Sequence, residues 1–153
     1  YFMDAYPGIQ GYRYIFIAMM VFAVLGVGCR RGIGQQAMEE AFAALLAQSG
    51  LCAEAFYKVC SIDLKRDEPG LRAFCAAHGF AFETFSAAQL AAVEGRFSSS
   101  GFVQSVTGVD NVCERSAVLG SGGTLYCKKQ AGGGVTMAAA MAPFAPDWRW
   151  QDE

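Results

Sequence analysis

Residues 21–32 have the sequence VFAVLGVGCRRG, an apolar run that ends in closely spaced glycines and two arginines. A run this apolar is typical of a central parallel strand that is covered on both faces. Gly26 and Gly28 allow a sharp turn and a close approach of a ligand to the backbone. We therefore expect a buried strand, then a glycine-rich turn, and then a helix that begins near Ile33 or Gly34.

The turn after this strand predicts a pocket that accepts anions. The following helix would point free N–H groups and the positive end of its dipole at the turn. Two arginines add fixed positive charge. Because open α/β sheets bind ligands beyond the carboxyl ends of their strands, we expect substrate-binding residues here. They are Gly26, Gly28, Cys29, Arg30 and Arg31.

Helices and strands alternate along the rest of the sequence. The order β-α-β-α-β-α-α-β-β predicts an α/β fold, a three-layer α/β/α sandwich with a mixed, mainly parallel sheet ending in a hairpin. Residues 51–62 are ambiguous, since 52–56 fit a helical turn and 57–62 fit a short second strand. Apart from the first strand, helices are expected at 33–48, 68–78, 86–93 and 111–119, and strands at 57–62, 80–85, 124–128 and 135–141.

The length of 153 residues suits one domain, which we place at residues 20–142. Residues 1–19 are treated as an N-terminal extension of uncertain origin, and 143–153 as a tail. The apolar run at 14–28 is shorter than the ~18–20 residues that cross a bilayer, and it lacks the flanks of a secretory signal. These features predict a cytoplasmic protein that does not bind a membrane.

Composition excludes several classes of protein. Hydrophobic residues make up 54% of the chain and charged residues 17%, which is typical of a globular domain and not of a disordered chain. The net charge of −2 argues against a nucleic-acid partner. The six cysteines form no C-x-x-C pair, so we expect buried free thiols, with no metal site and no cofactor.

Residues 61–71 combine several charges with the start of a helix. Asp67 is a plausible N-cap, with Glu68 and Pro69 in the first turn. Lys65, together with the neighbouring carboxylates, is placed either to position a polar substrate or to relay a proton. The alternative is a solvated loop whose charges pair with one another. Glu114, in the sequence Asn111-x-x-Glu114, is either a capping residue or an acid/base group.

Cys29 allows two interpretations. A thiol beside arginines and a helix N-terminus has a lowered pKa, as a nucleophile requires. The other interpretation is a small residue that fills a tight turn, since no histidine is near in the sequence. The lone His78 lies at a helix end and is better suited to interact with the helix dipole than to catalyse a reaction.

Three ordered motifs resemble the CobE/CbiG carboxy-terminal domain family of cobalamin biosynthesis. They are G-x-G-C-R-R-G at 26–32, S-I-D-x-K-x-D-E-P-G-L at 61–71, and G-V-x-x-V-x-E-x-x-A at 108–117. Residues 85–90 and the late Lys128 also match, and the similarity covers residues 20–142.

The resemblance implies a precorrin-like tetrapyrrole as the ligand. In the two-domain CbiG type it implies hydrolysis of the δ-lactone of cobalt-precorrin-5A with release of acetaldehyde, whereas this chain is similar to the free-standing CobE type. Lys65, or the amides of Gly28 and Cys29, would stabilise an oxyanion, and Glu68 or Glu114 would activate water. The residues expected to bind the substrate outside the glycine turn are Ser61, Asp63 and Lys128.

The alternatives to an enzyme are a carrier or accessory partner of other cobalamin-pathway enzymes and a nucleotide-binding domain. The third glycine, Gly32, lies one place late for a dinucleotide fingerprint, and Asp63 is a poor match for the acidic ribose ligand. The exposed edge of the expected sheet also leaves a homodimer open.

Overall fold

The computed structural model describes residues 23–97 and 109–143. In this part of the chain, four helices pack on one five-stranded sheet. The strands are β1 (Ala23–Cys29), β2 (Phe56–Ile62), β3 (Ala81–Phe85), β4 (Thr124–Gly132) and β5 (Val135–Met141). The helices are α1 (Gln35–Ser49), α2 (Pro69–His78), α3 (Ala87–Ala91) and α4 (Val112–Ser121), with short 3-10 turns at Ala53–Ala55 and Asp63–Lys65.

The sheet has the order β3-β2-β1-β5-β4, so the sequence that decides the fold forms its central strand. Strands β1, β2 and β3 pair in parallel, whereas β5 is antiparallel to both β1 and β4. Four of the five strands therefore run in the same direction. This arrangement confirms the predicted mixed, mainly parallel sheet that ends in a hairpin.

The hairpin between β4 and β5 is tighter than expected. Strand β4 continues to Gly132, and the turn contains only Gly133 and Gly134, with φ of +63° and +83°. A two-residue hairpin turn of type I′ needs positive φ at both positions, which two glycines supply. The predicted connection over 129–134 was therefore too long.

Each face of the sheet is covered by two helices, which confirms the three layers. Alternate residues of β1 enter opposite cores, Leu25 beneath α1 and α2 and Val24 beneath α3 and α4. The first core also contains Met38, Phe42 and Phe74, and the second contains Ile62, Leu90 and Val112. Burial on both faces explains why β1 is apolar at successive positions.

Several of the predicted caps of helices are confirmed, whereas α3 ends at Ala91 and not at 93, and α4 ends at Ser121 and not at 119. Gly50 and Gly79 are the C-caps of α1 and α2, and Ser86 and Gln89 form the expected capping box of α3. Asp67 is not the N-cap of α2, because Pro69 occupies the first helical position and Glu68 precedes it. Asp67 instead lies 3.4 Å from Arg72 at the surface.

Two glycines bring helices unusually close to the end of β1. A Cβ atom on Gly26 would collide with the carbonyl oxygen of Cys113 in α4. A Cβ atom on Gly70, in the first turn of α2, would collide with the backbone of Ile33. These contacts bring the N-terminal turn of α4 against β1, and the N-terminal turn of α2 against the segment that follows β1.

No helix within residues 23–97 and 109–143 is long and apolar enough to cross a membrane. All six cysteines are free thiols, and four of them are buried. Cys29 is half-buried and Cys52 is exposed, so the expectation of uniformly buried thiols was wrong at these positions. The expected N-terminal extension, residues 98–108 and nearly all of the tail lie outside the described residues.

Candidate functional site

A cavity of about 590 Å³ opens at the carboxyl edge of β1 and β2. Its walls are the glycine-rich turn after β1, the 3-10 turn after β2, the first turn of α4 and the β4–β5 hairpin. This is the edge at which the sequence predicts a ligand site. Five of the predicted site residues line the cavity: Gly28, Cys29, Arg30, Arg31 and Lys65.

The charged side chains that line the cavity are all cations. Arg30, Arg31, Lys65 and Lys129 line it, and no aspartate or glutamate is among its lining residues. Within the described part of the chain, Arg30, Arg31 and Lys129 form no ion pair with a carboxylate. Uncompensated cations in a concave, partly apolar site raise the local concentration of anions.

Two hydrogen bonds hold the end of β1 and the turn that follows it against the β4–β5 hairpin. The backbone N–H of Arg30 donates to the carbonyl oxygen of Gly134 at 2.9 Å. The hydroxyl of Thr136 donates to the carbonyl oxygen of Gly28 at 3.2 Å. These two hydrogen bonds therefore link the two walls of the cavity that carry cations.

Glu68 lies behind one wall and is nearly buried. Its Oε2 accepts a hydrogen bond from the backbone N–H of Gly32 at 3.1 Å, and its Oε1 lies 3.7 Å from Nζ of Lys65. Glu68 does not itself line the cavity. Its predicted role in activating water remains a prediction, and the contacts show a carboxylate that joins two cationic segments.

Glu114 lies behind the opposite wall, with only 1% of its surface exposed. Its Oε1 accepts a hydrogen bond from the backbone N–H of Lys129 at 2.9 Å, which links α4 to β4. Asn111 caps α4 as predicted, because its Oδ1 accepts the backbone N–H of Glu114 at 3.2 Å. Asn111 has a φ of +51°, a left-handed conformation that asparagine tolerates better than most residues.

The structure places Lys129, not Lys128, in the cavity. Lys128 is exposed on β4 and does not line it. The pairing of β4 with β5 shifts by one residue between Cys127 and Gln130, and such an irregularity redirects side chains. The alternation of β4 alone does not reveal this shift, which is why the sequence did not indicate Lys129.

Three other predicted residues lie outside the lining of the cavity. Gly26 faces α4. Ser61 is fully buried and donates to the carbonyl oxygen of Val27 at 2.7 Å, which ties β2 to β1. Asp63 is a surface residue whose Oδ1 contacts Arg66 at 2.9 Å and Thr84 at 2.7 Å.

Burial raises the pKa of Cys29 to about 11, with Lys65 opposing this effect and Glu68 adding to it. This direction is opposite to the lowered pKa that the nucleophile interpretation requires, because desolvation of the thiolate exceeds the attraction of nearby cations. Cys113, also in the lining, has a pKa raised by burial to about 12. Both thiols are protonated at neutral pH, which favours the interpretation of Cys29 as a small residue in a tight turn.

The donor set of the cavity suits an anion better than a metal cation. Its charged lining residues are all cations, and no group of three histidine, cysteine, aspartate or glutamate residues within the described ranges is arranged to hold a metal. His78 belongs to the α1–α2 layer, where it contacts Glu39 at 2.8 Å and stacks on Phe80.

Residues 23–140 match the family model described as "Cobalamin synthesis G C-terminus". The chain belongs to this family. The match covers both walls of the cavity and the whole sheet except the last residue of β5. It confirms the family indicated by the three sequence motifs.

Two curated relatives are named cobalt-precorrin-5A hydrolase. One, from Priestia megaterium, is 31% identical over 121 residues, and the other, from Salmonella typhimurium, is 34% identical over 119 residues. Each alignment covers 78% of this chain but only 32% and 34% of the relatives. The chain thus spans about one third of their length and is related to their family's carboxy-terminal domain.

Solved structures of cobalamin biosynthesis proteins share the fold. CobE, described as a protein from the cobalamin biosynthetic pathway, has a TM-score of 0.74 at 28% identity, over 80% of this chain and 91% of its own. The cobalamin biosynthesis protein chiG from Agrobacterium tumefaciens has a TM-score of 0.64 at 25% identity, over 80% of this chain and 99% of its own. A putative cobalamin biosynthesis protein G homolog from Sulfolobus solfataricus has a TM-score of 0.64 at 16% identity, over 80% and 37% of the two chains. This last likeness concerns the fold alone.

Proposed function

We propose that this protein binds a precorrin-like tetrapyrrole intermediate of cobalamin biosynthesis through the carboxylate arms of the macrocycle. The observation that carries the proposal is the cavity of about 590 Å³ with four cations and no carboxylate in its lining. The membership in a cobalamin-synthesis family supports a ligand of this class.

The chemistry of the lining matches both parts of such a ligand. Precorrins carry acetate and propionate arms around a large, partly apolar ring. Arg30 and Arg31 suit planar, bidentate binding of carboxylates, whereas Lys65 and Lys129 supply compact point charges. The apolar lining residues would contact the face of the ring, as in other small-molecule sites. They include Ile62, Val112 and Val135.

Hydrolysis of a lactone is the second candidate, and the two relatives named cobalt-precorrin-5A hydrolase favour it. In that reaction Lys65 would stabilise the oxyanion. Glu68 and Glu114 each accept a hydrogen bond from a backbone N–H, and neither is among the residues that line the cavity. Neither carboxylate therefore has the placement of a general base that contacts substrate, and binding by a carrier or accessory protein is the function that the geometry supports best.

The binding proposal is tested with uroporphyrin, a stable tetrapyrrole with an acetate and a propionate on every pyrrole. We expect a shift of its visible spectrum on binding and a weaker effect with coproporphyrin, in which methyl groups replace the acetates. Arg30→Ala and Lys65→Ala should each weaken binding by about threefold to tenfold, and more at low salt. Lys58→Ala is the control, since Lys58 pairs with Glu83 at 2.9 Å on strands β2 and β3.

Failure of uroporphyrin to bind, or equal weakening by Lys58→Ala, would contradict the binding proposal. The hydrolase candidate is tested separately with cobalt-precorrin-5A, by assaying acetaldehyde and the spectrum of the pigment. Acetaldehyde release supports hydrolysis, whereas a bound and unchanged pigment supports a carrier. Binding of NAD without binding of the pigment would favour the nucleotide-binding alternative.

A further inference from the structure

Glu68 occupies the N-cap position of α2, yet its side chain makes no capping hydrogen bond to its own helix. The carboxylate instead reaches a residue 36 positions earlier in the chain, the backbone N–H of Gly32. The first turn of α2 and the segment after β1 are in such close contact that only glycine fits at position 70 against Ile33. The side chain of Glu68 therefore stabilises the turn after β1 and does not cap α2.

The turn that Glu68 contacts is the one that carries two of the cavity's cations. It begins at Arg30, whose backbone N–H is fixed by Gly134, and it reaches Gly32, whose φ is +78°. Its three residues are exposed, so few packing contacts restrain them. The hydrogen bond to Glu68 restrains the turn at its second end, opposite the hairpin.

The second oxygen of the same carboxylate faces Lys65, the cation on the neighbouring 3-10 turn, at 3.7 Å. The side chains of Lys65 and Glu68 are 16% and 10% exposed, so this pair is largely removed from solvent. One carboxylate thus contacts both segments that supply cations to this side of the cavity. A group with this geometry acts on ligand binding through preorganisation.

We propose that Glu68 is a positioning residue, which fixes the Arg30–Gly32 turn for binding of carboxylates by accepting the hydrogen bond from the backbone N–H of Gly32, while its other oxygen pairs with Lys65. On this proposal Glu68 carries no proton in a reaction. The inference rests on the proposed function, since it concerns the same cavity. It separates a hydrogen-bond acceptor, which glutamine can replace, from a general base, which glutamine cannot replace.

The test compares Glu68→Gln with Glu68→Ala, with uroporphyrin as the probe. Glutamine retains an oxygen for the N–H of Gly32, so its dissociation constant should stay within about threefold of wild type. Alanine releases the turn and should weaken binding by about tenfold, since ordering the turn then opposes binding. Glu83→Ala, which removes an ion-paired glutamate away from the cavity, is the matched control.

Hydrogen exchange at the amide of Gly32 provides a second measurement that does not depend on the ligand. The amide should be protected in wild type and in Glu68→Gln, and should exchange faster in Glu68→Ala. An unprotected amide in wild type would overturn the proposal even if the alanine variant failed to fold.

The binding data distinguish two kinds of failure. If wild type does not bind uroporphyrin, the proposed function fails, whatever the exchange data show. If wild type binds but Glu68→Gln loses as much affinity as Glu68→Ala, binding depends on the negative charge of Glu68 and not on its hydrogen bond to Gly32. The positioning role is then overturned. Unchanged binding in Glu68→Ala would overturn it as well.

Discussion

The carboxylate of Glu114 accepts the backbone N–H of Lys129 at 2.9 Å, and this contact joins the first turn of α4 to strand β4 directly behind the cavity. Lys129 lies within the segment where β4 slips by one residue against β5. A slip of this kind leaves an N–H outside the regular ladder, and a buried N–H without an acceptor is costly. Glu114 therefore stabilises the irregularity that presents Lys129 to the cavity.

Removal of this acceptor should destabilise the protein. We expect Glu114→Ala to lower the free energy of unfolding by roughly 2–4 kcal/mol, through the lost hydrogen bond and the cavity left behind. Glu114→Gln should cost less, because its amide oxygen can still accept the N–H of Lys129. Urea unfolding measures both, with Glu83→Ala as an exposed control expected within ~0.5 kcal/mol of wild type. A loss below ~0.5 kcal/mol for Glu114→Ala would contradict this account.

The adjacent lysines of β4 should differ in their effect on binding. Lys129→Ala removes a cation from the cavity and should weaken uroporphyrin binding by about threefold to tenfold, with a smaller dependence on salt. Lys128→Ala changes the same charge at an exposed position outside the lining and should leave the dissociation constant unchanged. Titration of both variants under the same conditions provides the matched comparison. An equal loss of affinity in the two variants would mean that binding depends only on the overall charge of the protein.

This pair of lysines also shows how far the sequence could predict the site. The run through β1 and the arginines after it correctly indicated the edge of the sheet where the cavity lies, because hydrophobic pattern and glycine spacing are local properties. The choice between Lys128 and Lys129 depends on how β4 is paired with β5, which is a non-local property. No single-strand pattern contains that information.

Glu68 and Glu114 show the same difference between local properties, which the sequence predicts, and non-local contacts, which it does not. The sequence placed Glu68 and Glu114 at helix starts, as the structure does. Their side chains, however, accept N–H groups 36 and 15 residues away. Such contacts follow from tertiary packing, so motif spacing alone does not distinguish a positioning carboxylate from a catalytic one.

Gly26 should be essential for packing, whatever its role in binding. Gly26→Ala would place a Cβ atom against the carbonyl of Cys113, and overpacking of this kind costs about 1–3 kcal/mol. Gly132→Ala is the control, because no atom lies within 4 Å of the added Cβ. Thermal unfolding of the two variants should show a lower midpoint for Gly26→Ala only. A midpoint equal to that of Gly132→Ala would contradict the close approach of α4 to β1.

The thiols should react according to their exposure. At neutral pH we expect iodoacetamide to label Cys52, which is exposed, well before Cys29, whose thiol is kept protonated by burial. Mass spectrometry of the digested protein after timed labelling measures the order. Faster labelling of Cys29 than of Cys52 would restore the interpretation of Cys29 as an activated nucleophile.

Buried thiols should also make the protein less stable in alkali. Burial raises the pKa of Cys60 and Cys113 from the ordinary value of 9.0 to about 12. The folded state therefore holds these protons more tightly than the unfolded state, and the resulting stability is complete below pH 9.

This contribution is lost as the pH rises from 9 towards 12, so the free energy of unfolding should fall over that range. Urea unfolding with a reductant present, at pH 8 and at pH 10.5, measures the fall. Cys60→Ala removes one titrating group and should show a smaller difference between the two pH values, whereas Cys52→Ala, at an exposed site, should keep the full difference. Identical pH dependence in wild type and Cys60→Ala would show that this thiol is not held protonated by the fold.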